Sequence, residues 1–282
     1  MAIEKNTILA VLAHPDDETF GMGGTLALYA RRGAQVYLAC ATRGEVGSVD
    51  EKLLRGFDSI AERRESELRC AAEKLGLAGV YFMDYRDSGM PGSPDNSHPH
   101  ALAAAPQNEV AEKIASYIRR LQPQVVITFD PIGGYKHPDH IAIHKATVQA
   151  FQMAGDASYE SDLPPFKPQK LYYQVIPKRF LRFAISIMPL LGKDPRRFGR
   201  NGDIDLAALV KDGDFPIHAR IYYGEVSGIK DEAMLCHSSQ LDGPSLRRGP
   251  MRWVQVLFGE NEYFMRAYPP ANERLREHDL FE

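Results

Sequence analysis

Thr7-Ile8-Leu9-Ala10-Val11-Leu12-Ala13-His14-Pro15-Asp16-Asp17-Glu18 is the stretch on which the fold turns. Its first seven residues are a short apolar run bounded by polar residues, the pattern of a strand buried on both faces. The run then stops in a histidine, a proline and three acids. Potentially ligating groups thus crowd the carboxyl end of a buried strand, the edge at which open α/β sheets bind their ligands.

Outward from that run, strand-like and helix-like segments alternate. Helices are expected over residues 20–32, closed by Gly33, and 59–75, closed by Gly76. In the second, Leu68, Ala71, Ala72 and Leu75 share one face. Further helices are read at 109–121 and 141–151. Strands are read at 35–42, 80–83, 125–129 and 171–176. This alternation predicts an α/β fold: a Rossmann-like, doubly wound, mostly parallel sheet flanked by helices. Two segments break the rhythm. Residues 84–107 form a long loop rich in Gly, Pro, Ser and His, a length that usually marks function or mobility. Residues 178–215 read as a helical insertion or lid on an α/β core of residues 1–177. Residues 216–282, with a strand at 217–223 and a helix at 229–239, complete a single domain as a smaller C-terminal elaboration.

The 282-residue chain carries a net charge of -3 and 44% hydrophobic residues, which excludes disordered and fibrous classes. It lacks the basic surplus of a nucleic-acid binder. Cys40, Cys70 and Cys236 lie far apart, so neither a disulfide framework nor a thiolate metal site is expected. Cys40 and Cys70 read as small buried apolar side chains, which fits a reducing compartment. The start of the chain does not resemble a secretory signal, and no apolar stretch approaches the roughly 20 residues of a membrane span. Residues 180–191 come nearest but are short and contain Arg182. A cytoplasmic protein without a membrane span is the expectation, and a homo-oligomer stays open.

A second polar cluster, Asp130-Pro131-Ile132-Gly133-Gly134-Tyr135-Lys136-His137-Pro138-Asp139-His140, follows the fourth strand. A catalytic zinc takes about three His and carboxylate ligands and keeps one position open. His14, Asp17 and His140 supply such a set, and Asp16 is then left beside the metal as a general base. Each motif also has a bland reading. The three acids could simply open a helix, where they favour its dipole. His137-Pro138-Asp139-His140 could be a turn and an N-cap. The two motifs together, each at a strand end, favour the metal.

These residues resemble the PIG-L/LmbE-like family of zinc-dependent N-acetylglucosaminyl deacetylases. Thr42-Arg43-Gly44-Glu45, Arg64-Glu65-Ser66-Glu67-Leu68, Tyr85-Arg86-Asp87-Ser88-Gly89-Met90 and Cys236-His237-Ser238-Ser239-Gln240 extend the resemblance. The Tyr85–Met90 loop and Gly133-Gly134-Tyr135 look most like the mycothiol-pathway branch, whose members act on N-acetylglucosaminyl-inositol or on mycothiol conjugates. The insertion has no match. The resemblance implies His14, Asp17 and His140 as metal ligands, with Zn2+ as the ion and Fe2+ as a cellular alternative. It implies Asp16 as general base, His137 as the acid or oxyanion-stabilising histidine, and Tyr135 as the group polarising the carbonyl. Arg64 and Asp87 fall at substrate-binding positions, and Asp139 at that of a carboxylate backing a ligand histidine. The partner implied is a small amino-sugar substrate. Water would attack the acetamide, with charge on its oxygen met by a protonated His137 and Tyr135. Whether Asp16 or His137 returns the proton to the amine stays open.

Three rivals remain. One is an amidase acting on mycothiol-type S-conjugates with the same site. Another is a non-haem iron oxygenase, since two histidines and a carboxylate also form a facial triad. The third is a non-catalytic binding protein on the same scaffold. Elsewhere, Gly21-Met22-Gly23-Gly24 reads as close helix–strand packing, not a dinucleotide fingerprint. His144 reads as packed on the sheet, and His98 and His100 as solvated. Trp253 reads as core. Glu45 is balanced between substrate contact and solvent, and His237 between lining the site and capping a helix.

Overall fold

The computed structural model describes residues 6–197, 202, 205–210, 214–241, 259–272 and 274–282. In chain order the elements are β1 (Thr7–Leu12), α1 (Asp17–Arg31), β2 (Gln35–Cys40), α2 (Ile60–Leu75), β3 (Gly79–Phe82), α3 (Gln107–Leu121), β4 (Val125–Phe129), the short α4 (Gly133–Lys136) and α5 (Pro138–Gly155). Then come β5 (Lys170–Gln174), α6 (Lys178–Ile187), α7 (Leu206–Leu209), β6 (Ala219–Tyr222), α8 (Ser227–Cys236) and β7 (Asn261–Tyr268). The order across the sheet is β3-β2-β1-β4-β5-β7-β6. Strands β1 to β5 pair in parallel, and β7 runs antiparallel between β5 and β6. β1 is buried at all six positions and β4 at all five, as continuous apolar runs in a doubly covered parallel sheet should be.

The order reverses between β1 and β4. A crevice forms at such a reversal, at the carboxyl ends of the flanking strands. The sequence places its two polar clusters on those two strand ends, so the topology brings them together.

The helices begin and end for local reasons. Ser59 Oγ accepts a hydrogen bond from Glu62 N at 3.1 Å and opens α2, and Gly76 closes it with a left-handed backbone. α5 starts at Pro138 with His137 as its cap, and α1 starts at Asp17. α1 is kinked at Met22, and Glu262 of β7 accepts from the N–H groups of Gly24 and Thr25 just beyond the kink, at 2.9 and 2.6 Å. A Cβ on Gly24 would lie 2.2 Å from the ring of Tyr223, so the glycine run does serve close packing.

Two readings need correction or completion. Cys70 is exposed on α2 and joined by a disulfide to Cys236 at the end of α8, with 5.8 Å between their Cα atoms. Partners 166 residues apart leave no spacing signal, so the sequence could not pair them. Cys40 is buried, as expected. The strand β7 escaped notice because one of its inward positions carries a charge. Glu262 is 5% exposed and pairs with Lys230 at 2.6 Å. Trp253 lies outside the described residues. In the insertion, Leu181, Met188, Leu206 and Leu209 form a small apolar cluster that packs against Tyr135.

Candidate metal centre

The chain leaves β1 at Leu12 and turns sharply into α1. In that turn His14 N donates to Asp17 Oδ2 at 2.7 Å, which folds the aspartate back toward the histidine. From the other strand, His140 stands in the first turn of α5, its ring stacked on Phe129 at 3.8 Å and 9°. The donor atoms of the three residues form a close triangle in which Asp17 turns a different oxygen to each histidine. His14 Nδ1 lies 3.2 Å from His140 Nε2, His140 Nε2 lies 3.2 Å from Asp17 Oδ1, and His14 Nδ1 lies 3.5 Å from Asp17 Oδ2. A tetrahedral zinc bonded at about 2.1 Å separates its ligand atoms by about 3.4 Å, so this His/Asp group fits a metal ion. The ring nitrogens of His137, His14 and His140 also come within 4.8 Å of one another. Asp17 and His137 are thus both candidates for the third ligand, and Asp17 is the one that brings a negative charge.

The electrostatics call for a cation at this spot. Burial alone would lower the pKa of His14, but Asp87, Asp139 and Asp17 outweigh it and hold the pKa well above its ordinary value. Burial opposes the Asp17 carboxylate, yet His140 and His14 keep it well below the usual range. Without a metal, a proton on His14 satisfies those carboxylates.

His14 is backed by Asp139, whose Oδ2 lies 3.1 Å from Nε2. Asp139 is fixed in turn by Ser88, through its backbone N–H at 2.9 Å and a short hydroxyl hydrogen bond. Asp87 Oδ1 lies 3.5 Å from the same His14 nitrogen and accepts from Gly89 N at 2.8 Å. Glu45 accepts from Asp87 N at 2.9 Å, so it braces this loop and is not a solvated carboxylate.

Asp16 stands outside the triangle. Its backbone has φ 118°, a left-handed conformation that is strained for any residue but glycine. Arg64 of α2 donates to Asp16 Oδ2 at 3.0 Å and to the Pro15 carbonyl at 2.6 Å. Burial pushes the Asp16 pKa up to about 6 against the pull of Arg64. Arg64 and Asp87 therefore reach the site but are already engaged with its residues.

His137 caps α5, its Nδ1 accepting from Asp139 N at 3.2 Å. Nδ1 is thus the acceptor, and Nε2 carries the proton. Burial, followed by the neighbouring His14 and His140, pushes its pKa down to about 2. The protonated His137 of the sequence reading is therefore replaced by a neutral ring with one N–H to offer. Tyr135 lies beside it, 5.0 Å from the His140 ring, and burial keeps its phenol protonated.

Four other histidines, His98, His100, His144 and His237, make no edge of this triangle. His144 Nδ1 meets the Phe129 carbonyl at 2.9 Å, in the packing role expected of it. The rings of His98 and His100 face each other outside the core. His237 ends α8 and is fully buried, its Nε2 2.7 Å from Glu18 Oε1. Sequence reasoning missed the parts played by Glu18 and Ser88, whose only signal was their place inside the first polar cluster and the Tyr85–Met90 loop.

The chain is similar to known proteins over most of its length. Residues 9–151 match the model of the family PIG-L, GlcNAc-PI de-N-acetylase. A 1D-myo-inositol 2-acetamido-2-deoxy-alpha-D-glucopyranoside deacetylase of Geodermatophilus obscurus is 38% identical over 84% of this chain and 84% of its own. Among solved structures, the N,N'-diacetylchitobiose deacetylase of Pyrococcus horikoshii aligns with a TM-score of 0.63 at 20% identity, over 93% of this chain and 84% of that one. The 4-carboxy-2-hydroxymuconate hydratase of Pseudomonas putida aligns at 0.59 and 20%, over 96% and 99%. These two structures share the fold alone, and their different reactions show that the fold by itself does not fix the chemistry. The match over half the chain and the close relative do fix the kinship: the chain belongs to the PIG-L family of GlcNAc-PI de-N-acetylases.

Proposed function

We propose that this chain is a zinc-dependent deacetylase that hydrolyses the acetamide of an N-acetylglucosamine-type substrate, N-acetylglucosaminyl-inositol in particular. The observation that carries the reading is Asp16, a half-buried carboxylate beside the His14–Asp17–His140 triangle and outside it. An oxygenase built on the same triad has no use for such a base. The substrate follows the curated relatives, which are named as deacetylases of 1D-myo-inositol 2-acetamido-2-deoxy-alpha-D-glucopyranoside and are 33% to 40% identical over most of the chain.

In this reading His14, Asp17 and His140 hold the ion, backed by Asp139. Zinc there supplies Lewis acidity, lowering the pKa of water and polarising a carbonyl. Asp16 takes the proton of the attacking water, and a carboxyl group tuned toward neutrality suits that exchange. The Nε2–H of His137 and the hydroxyl of Tyr135 donate to the carbonyl oxygen as negative charge gathers on it. Asp16 then returns its proton to the departing amine, because a neutral His137 would become an anion by doing so. Arg64 and Asp87 border the same space and are assigned to the sugar. The insertion, packed on Tyr135, serves as a lid over it.

Asp16→Asn tests the reading. Acetate release should fall by about a hundredfold or more while zinc content stays at the native level. Near-normal turnover in that variant would refute the base assignment. No described helix is long and apolar enough to cross a membrane. The cytoplasm is the proposed location, although disulfides are rare there. The thiol state of Cys70 in rapidly alkylated cell extract tests that placement.

A further inference from the structure

We propose that Glu18 and His237 are positioning residues, which together hold the strained backbone of Asp16 and so aim its carboxylate. The inference rests on the reading of Asp16 as the base. A residue at φ 118° is strained and persists only where its surroundings over-determine it. Asp16 N donates to Glu18 Oε2 at 3.0 Å, and Asp16 O accepts from Thr19 N and Phe20 N at 3.0 and 2.9 Å. Arg64 holds the side chain from the opposite side, at 3.0 Å.

Glu18 and His237 are both fully buried. A carboxylate in that position must be met by donors. Glu18 Oε1 accepts from Thr19 Oγ1 at 2.5 Å and faces His237 Nε2 at 2.7 Å, while Oε2 serves the Asp16 amide. His237 Nδ1 has no hydrogen-bond partner among the described residues. The ring is thus committed to Glu18.

The segment that presents His237 is pinned on both sides of it. Cys236 is bonded to Cys70, while Ser239 N and Oγ donate to Glu67 at 2.8 and 2.6 Å. Arg64, Glu67 and Cys70 are spaced three apart on α2, so they share one helix face. One face of α2 therefore holds the Asp16 carboxylate directly, through Arg64, and its backbone indirectly, through the pinned His237 and Glu18. A buried ion pair joining α8 to α1 would need no link to Asp16. The unusual backbone angle at the residue that Glu18 grips argues for one.

A double-mutant cycle on the full zinc-loaded chain tests the proposal. His237→Ala, His237→Gln and Glu18→Gln are each made alone and together with Asp16→Asn. Acetate release from N-acetylglucosaminyl-inositol, zinc content and Tm are measured for each. His237→Ala should lower kcat between about tenfold and a hundredfold, as misplacement of a reacting group does, with KM and zinc content little changed. His237→Gln, whose amide can still donate to Glu18, should recover much of that loss. Combined with Asp16→Asn, neither His237→Ala nor Glu18→Gln should lower kcat further, because residues acting through one group are not additive. Equal losses in both backgrounds would overturn the proposal, and so would full activity of His237→Ala. If His237→Ala does not fold, Glu18→Gln runs the same cycle. Native turnover in Asp16→Asn alone would fail the base reading itself, a result distinct from additivity.

Discussion

His14 Nε2 lies 3.1 Å from Asp139 Oδ2, and that contact turns Nδ1 toward His140 and Asp17. A ligand histidine held from behind by a carboxylate is fixed in tautomer and made more basic. Asp139→Ala should therefore weaken zinc binding by about 10- to 100-fold, as loss of such a backing group does elsewhere. Competition with a chromophoric chelator would measure it. Unchanged affinity would mean that Asp139 serves the fold alone.

Metal uptake should release protons. Without an ion the His14 pKa is held well above its ordinary value, so near pH 7 the ring is protonated and must lose that proton to bind. Affinity should accordingly rise as pH rises above the ordinary histidine range. Calorimetric titration at pH 7 in buffers of different ionisation enthalpy should show proton release on binding. A binding enthalpy independent of buffer would contradict the assignment of His14 as a ligand.

The two donors to the carbonyl oxygen should act on kcat. His137→Ala removes a neutral N–H donor, and its loss should cost about 100- to 1,000-fold in kcat, the usual scale for an oxyanion donor. Tyr135→Phe should lower kcat in the same sense while leaving the apolar packing of the insertion in place. Neither change should remove zinc. Metal loss in His137→Ala would instead make His137 a ligand, an arrangement its distances also permit.

Glu262 offers a test of the frame behind the site. It accepts from Gly24 N, Thr25 N and Lys230 Nζ, all in buried surroundings. Glu262→Gln leaves the Lys230 charge uncompensated, and breaking a buried pair from one side costs about 3–5 kcal/mol. The Tm should fall markedly, while zinc stoichiometry per folded molecule holds. A shift of only a degree or so would show that the pair is dispensable.

The sequence carried the parallel core and the clustering of His14, Asp17 and His140 because both depend on local signals. β1 and β4 are apolar runs with abrupt polar ends, and the strand reversal between them joins the two clusters. The bland readings of those clusters hold as well: Asp17 and Glu18 do open α1, and His137 does cap α5. Helix starts, strained turns and ligand sets use the same residues here. What escaped the reading depends on partners far apart in the chain. Cys70 meets Cys236, Glu18 meets His237, and Glu262 reaches back to the kink in α1. The charge state of His137 was also out of reach, since it follows from burial and from two other histidines.

Metal-dependent deacetylation is decided by acetate release from N-acetylglucosaminyl-inositol. The chain would be stripped of metal, assayed, reloaded with zinc and assayed again, with a mycothiol-type conjugate as the parallel substrate. The stripped chain should release no acetate, and reloading should restore release from the first substrate. Acetate release that ignores metal removal, or cleavage of the conjugate alone, would contradict it.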